Sequence, residues 1–118
     1  IAMDVYEAEA RALECARCNL SSSSPNIQLN YYWHDVVQGL HGTYDFVITN
    51  PPFHQGRTEL HTLGQAFIES AAKSLKPDGR FYMVANRHLP YEATLQKHFS
   101  HVTVLANKEG YKVFEASI

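Results

Sequence analysis

Asn50, Pro51, Pro52 and Phe53 stand in the stretch TNPPFHQG, directly after the short apolar run YDFVI. Two consecutive prolines cannot continue a β-ladder, because each fixes φ and lacks an N–H donor. A core strand must therefore stop at Thr49, with a carboxamide, an aromatic ring and His54 at its carboxyl end. The chemistry such a set suits is the handling of an NH2 group. An exocyclic or amide nitrogen is a poor nucleophile, because its lone pair is delocalised into the neighbouring π-system. The side-chain oxygen of Asn50 and the carbonyl of Pro51 can both accept hydrogen bonds from that group and turn its lone pair toward an electrophile. The prolines keep both acceptors stiff, and Phe53 offers a flat apolar face for a planar base or amide. The plainer alternative is a strand terminator with an Asn turn, since Asn-Pro is a common turn dipeptide. Placement after DFVIT and before an aromatic favours a site.

The elements that must position these residues follow from pattern. Val5 to Leu20 reads as a helix, with Leu13, Ala16 and Leu20 on one face. After the SSSSPN loop, Ile27 to Trp33 is rich in strand formers and reads as a strand ending near His34 and Asp35. Tyr44 to Thr49 is the next strand. Thr62 and Gln65 form a capping-box pattern, and Leu63, Phe67, Ala71 and Leu75 line a helix ending at KPDG. Arg80 to Ala85 is a buried strand and Tyr91 to Phe99 a short helix. His101 to Ala106 and Tyr111 to Ser117 are strands joined by the NKEG turn. Strands alternating with helices predict an α/β fold, a mostly parallel sheet covered on both faces. The last two strands lack a crossover helix, so they form a hairpin and one edge strand runs antiparallel.

In open α/β sheets ligands sit beyond the carboxyl ends of the strands. Asp4, Asp35, Asn50 and Asn86 with Arg87 occupy such ends. An acidic residue at the end of a strand suits ribose hydroxyls, although Asp4 serves equally well as an N-cap for the following helix. Cys15 and Cys18 fit C-x-x-C but lie inside a helix with no second pair, so neither a zinc nor a redox site is supported. None of the seven histidines stands in an H-E-x-x-H arrangement, and no metal site is expected. Asp45 is a surface residue at a strand entry. With 118 residues the chain is one domain at most, and a formal charge of −2 requires any nucleic-acid contact to come from a local patch. No apolar run is long enough to cross a bilayer and no secretory signal is expected; the cysteines suit a reducing cytoplasm.

The pattern of Asn50-Pro51-Pro52-Phe53 after an apolar strand resembles motif IV of Rossmann-like class I amino-methyltransferases that use S-adenosyl-L-methionine. The longer stretches NPPFHQG, VANRHLPY and GYKVFEAS are similar to ribosomal RNA guanine-N2 methyltransferases of small-subunit type C and large-subunit type G. The resemblance covers essentially the whole chain. It implies methyl transfer to the N2 amine of a guanine, with ribosomal RNA or a ribosomal subunit as partner and a cytoplasmic setting. Residue by residue, Asp4 matches the holder of the cofactor ribose and Asp35 the position beside its adenine. Asn50, Pro51, Pro52 and Phe53 match the target-amine motif, with Asn50 also facing the cofactor. Phe53, His54, Asn86 and Arg87 fall on the substrate side. Arg57 and Arg87 are within reach of RNA phosphate on this view, though solvation is the ordinary role of such residues.

One departure matters. The family's first strand and its D-x-G-x-G loop have no counterpart among these 118 residues. The resemblance therefore implies that 1–118 is the later part of a catalytic domain, missing a central strand and the floor of the cofactor site. Three rivals remain open: methylation of a glutamine side chain in a protein, methylation of adenine N6, and a non-catalytic fragment of such a domain.

Overall fold

The computed structural model describes residues 2–7, 10–20, 28–33, 39–40, 42–50, 57–88 and 90–118. They belong to two compact units, Ile1–Gln38 and Gly39–Ile118.

The smaller unit is a strand, a helix and a second, parallel strand: β1 (Ala2–Glu7), α1 (Ala10–Leu20) and β2 (Gln28–Trp33). The ladder runs in register from Ala2 opposite Gln28 to Glu7 opposite Trp33. Two side-chain pairs fasten it. The Tyr6 and Tyr32 rings stack at 5.0 Å, and Asn30 donates from Nδ2 to Oδ1 of Asp4 at 3.0 Å. Leu13 of α1 is buried. The expected helix from Val5 is corrected here, because Val5 and Tyr6 remain in β1. A β-branched and an aromatic residue suit a pleated surface, and Tyr6 finds a ring directly opposite.

The larger unit comprises β3 (Tyr44–Thr49), α2 (Arg57–Ser74), β4 (Leu75–Asn86), α3 (Glu92–His98), β5 (His101–Lys108) and β6 (Tyr111–Ser117). Its sheet has the order β3-β4-β6-β5, with β3 parallel to β4 and β6 antiparallel to both its neighbours. Alternate residues Phe81, Met83 and Ala85 of β4, with Phe114 and Ala116 of β6, face one side and meet Ile68 and Ala71 of α2 and Leu95 of α3. Phe81 and Phe99 stack at 5.4 Å within this core.

Three features correct or refine what the pattern predicts. First, the antiparallel strand is not at the edge. The α3 crossover carries the chain past one strand position, and β6 folds back into that gap, so the edge strand β5 runs parallel to β4. Second, both helices of this unit lie on one face. The steps β3→β4 and β4→β5 go the same way along the sheet, and right-handed crossovers then place α2 and α3 on the same side. On the opposite face Phe46 and Ile48 remain 64% and 73% exposed. Third, Thr62 is not a helix cap. The helix α2 already runs from Arg57, and Gln65 donates from Nε2 to Oγ1 of Thr94 on α3 at 3.1 Å. The same helix stops at Ser74, and KPDG belongs to the irregular start of β4, where its register against β3 shifts. Pro77 cannot extend a helix and is tolerated where the ladder is broken. Asp45 is exposed as expected, 3.5 Å from Nζ of Lys76.

The α2–α3 joint is unusually close. A Cβ at Gly64 would overlap the hydroxyl and ring atoms of Tyr91, which is 1% exposed. Two effects oppose each other in Gly64→Ala. Helix propensity favours alanine by about 1 kcal/mol, whereas overpacking a core costs typically about 1–3 kcal/mol. A buried ring has nowhere to swing, so the overlap decides the sign. Gly64→Ala is expected to lower the thermal midpoint, and Gly64→Ala with Tyr91→Leu to recover part of the loss. A midpoint raised by Gly64→Ala alone would show that the joint is looser than this.

Candidate functional site

The carboxyl ends of β3 and β4 lie on one side of the larger sheet, because the two strands are parallel with Thr49 opposite Met83. Asn50 follows immediately after β3 and is exposed. The β4 strand continues further and ends at Asn86, which is half-buried, with Arg87 and His88 exposed in the turn beyond. That turn is fixed at three points. The Asn86 side-chain oxygen accepts a hydrogen bond from the His88 N–H at 2.9 Å. The Arg87 N–H donates to the Gly110 carbonyl at 2.8 Å. Tyr91 then enters the core, and its carbonyl accepts from the Leu95 N–H at 2.9 Å. Burial pushes the Tyr91 hydroxyl above the usual tyrosine range, so the ring stays neutral as it packs. The next residue, Glu92, meets the Lys112 ammonium at 3.4 Å.

The structure thus brings Asn50, Asn86 and Arg87 to one end of one sheet. Asp4 belongs to the other unit. It lies third in the six-residue β1, not at a strand end, and six positions before α1 begins, which removes its reading as an N-cap. It is half-buried, and its carboxylate accepts from Asn30. Pro51, Pro52, Phe53, His54 and Asp35 lie outside the described residues. The Gly110 contact was missed by sequence reasoning: NKEG marks a turn, but nothing local says that its carbonyl meets the end of β4. Among the described residues no cluster of three or more His, Cys, Asp or Glu is placed to hold a metal. Cys15 and Cys18 are exposed free thiols on α1, and no described helix is long and apolar enough to cross a membrane.

Polar groups at the carboxyl ends of parallel strands mark the ligand edge of an open α/β sheet, and the superpositions below make that sheet one of the Rossmann-like methyltransferase class. The chain belongs to the methyltransferase small domain family, whose model matches residues 1–115. It is 35% identical over 106 residues to ribosomal RNA small subunit methyltransferase C of Shewanella pealeana, covering 90% of this chain and 31% of that protein. It superimposes on T. thermophilus 16S rRNA N2 methyltransferase RsmC, solved in complex with AdoMet and guanosine, with a TM-score of 0.79 and 27% identity. That match covers 97% of this chain and 30% of the other. A SAM-dependent O-methyltransferase of Thermotoga maritima matches with a TM-score of 0.75 at 16% identity over 98% of this chain and 49% of that one, which shows the fold alone. The chain spans about a third of the length of the curated relatives it matches.

Asn86 serves as a turn former through one acceptor atom, and this is open to test. Asn86→Ala is expected to speed amide exchange at His88 and to cost about 0.5–1.5 kcal/mol of stability. Asn86→Asp keeps the acceptor and should stay near wild type in both measurements. Equal exchange rates in all three proteins would remove the turn-forming role.

Proposed function

We propose that this chain carries the site for methyl transfer from S-adenosyl-L-methionine to the exocyclic N2 amine of a guanine in ribosomal RNA. The observation that carries this reading is the position of Asn50. It is an exposed carboxamide directly past the end of β3, beside the fixed Asn86 turn, in a chain similar to a methyltransferase solved with AdoMet and guanosine. The proposed partner is ribosomal RNA or a ribosomal subunit, and the proposed setting is the cytoplasm.

Each unit, taken by itself, offers an acceptor suited to the cofactor. Asp4 is a half-buried carboxylate, an acceptor matched to a ribose diol, and Asn50 is an exposed neutral acceptor. When bound, the cofactor supplies an electrophilic methyl group on a cationic sulfur. On this reading Asp4 holds the ribose hydroxyls and Asp35 borders the adenine. Asn50 and the Pro51 carbonyl grip the guanine N2 hydrogens, so that the nitrogen lone pair faces the methyl carbon in line with the departing sulfur. Pro52 keeps the grip stiff. Phe53 stacks on a base turned out of its helix, with His54 beside it. Asn86 and Arg87 form the rim against which the nucleotide rests. No strong base is needed, because the N–H becomes acidic once nitrogen carries the methyl, and water takes the proton.

The same reading makes residues 1–118 the later part of the catalytic domain, with the first strand and glycine-rich loop outside them. Support comes from β3, whose outer edge has no ladder partner among the described residues and whose Phe46 and Ile48 are exposed. An unpaired edge of that kind is a seat for another strand.

Two variants of the full-length protein separate the roles. Asn50→Ala should lower kcat by about 10²–10³, the usual effect of removing one positioned hydrogen-bonding group, while calorimetric affinity for S-adenosylmethionine changes little. Equal losses in both would count against Asn50 as the amine's acceptor. Asp4→Ala should instead weaken the cofactor by roughly tenfold or more, as loss of a hydrogen bond to a charged group does. A normal cofactor affinity in that variant would return Asp4 to a purely structural pairing with Asn30.

A further inference from the structure

The tip of the β5–β6 hairpin lies at the same end of the sheet as Asn50. Tyr111 is the register partner of Asn86 on β4 and also of Lys108 on β5, so three adjacent strands bring Asn86, Tyr111 and Lys108 side by side. The tip is locked to the end of β4 by the hydrogen bond from the Arg87 N–H to the Gly110 carbonyl. Its backbone is shaped by two residues in the left-handed region, Glu109 at φ 56° and Gly110 at φ 84°. Charge is distributed unevenly over it. Lys112 faces Glu92, whereas Arg87 and Lys108 are exposed and have no ion-pair partner among the described residues. Tyr111 is partly exposed between strands that carry them.

We infer that this hairpin tip is a docking ledge for the substrate RNA strand, with Arg87 and Lys108 meeting backbone phosphates of the nucleotides that flank the target. The inference rests on the function proposed above and adds the surface that holds the flanking RNA. The distances suit it. From β3 to β5 there are three strand spacings, about 14 Å at ~4.8 Å each, or some four stacked nucleotide steps at ~3.4 Å. Lys108 therefore lies beyond the target nucleoside, where a phosphate a few nucleotides along the strand passes. These 118 residues carry a formal charge of −2, so any attraction they exert on RNA comes from such a local cluster. Glu109, exposed beside Lys108, acts in the opposite sense and holds the affinity down.

Kinetics and binding with the full-length protein and a ribosomal RNA fragment, measured over a range of salt, test the ledge. Lys108→Glu should raise the RNA KM by about fivefold or more, with the loss on KM rather than kcat and cofactor affinity as in wild type. The slope of log affinity against log salt should shrink by roughly 0.7–0.9 for the lost contact. Glu109→Gln should lower the KM. Gly110→Val, which cannot hold φ 84°, should raise it, and Gly110→Asn, which tolerates the left-handed region, should largely restore it. Normal methyl transfer to guanine N2 with KM and salt slope untouched by Lys108→Glu would overturn the ledge alone. A wild-type protein that transfers no methyl to guanine N2 of ribosomal RNA would overturn both the ledge and the reading beneath it.

Discussion

The contact between Tyr91 and Gly64 governs how the chain leaves β4. Tyr91 ends the segment that begins at Asn86, and its ring reaches α2 only because position 64 has no side chain. From that contact the order of the larger unit follows. With the ring seated, α3 starts at Glu92, Thr94 comes within reach of Gln65, and Leu95 joins Ile68 in the core. The hydroxyl's raised pKa has the same origin. Burial disfavours the phenolate, so this packing contributes fully below the ordinary tyrosine range and is lost as pH climbs through the raised value. A loop carrying polar groups is in this way tied to a core at one end and to a strand at the other. That leaves Arg87 and His88 exposed on a backbone with little freedom.

Strand order extends this constraint across the sheet. Because β6 enters between β4 and β5, the hairpin tip arrives next to the end of β4 rather than at a remote edge. Because β5 runs parallel to β4, the Glu109–Gly110 turn that follows it lies on the same side as the strand carboxyl ends. The antiparallel return adds the sideways placement, setting Tyr111 directly beside Asn86. Polar groups from β3, β4 and the hairpin then share one rim, although they come from positions about sixty residues apart in sequence.

Local signals made some of this legible before any coordinates. The span of β3 was readable because a proline pair stops it and a turn precedes it. The hairpin partner β6 was readable because the NKEG turn precedes it, and α3, expected over Tyr91 to Phe99, is shorter by one residue at each end. The failures share a different cause. Thr62 and Gln65 have the spacing of a cap, but Gln65 is taken by Thr94, 29 positions away, and the helix is already under way. Val5 and Tyr6 fit a helical window, yet Tyr32 across the ladder holds them in a strand. In the site, Asn86 and Arg87 were found at the strand end that pattern assigned to them. The Gly110 carbonyl that fixes Arg87 was not, since a backbone acceptor carries no side-chain signature. Asp4 was placed on the right element and in the wrong part of it, because β1 continues to Glu7 under the pairing of its later residues with the distant Tyr31 to Trp33.

The proposed chemistry explains why grip and attraction would be separated in such a site. Orienting an NH2 group calls for acceptors whose positions are fixed, and a carboxamide beside a proline carbonyl meets that need without adding charge. Holding RNA calls for positive charge that need not be placed to a fraction of an ångström, and exposed side chains such as Arg87 and Lys108 meet it. If the cations stood at the amine itself, they would oppose the positive charge that nitrogen acquires as it takes the methyl. Placed one strand away at Arg87 and three strands away at Lys108, they act on association and leave that charge development alone. Salt should then act on how tightly RNA is held while the step at Asn50 stays insensitive to it, and the fixed turn at Asn86 is the structural joint between the two.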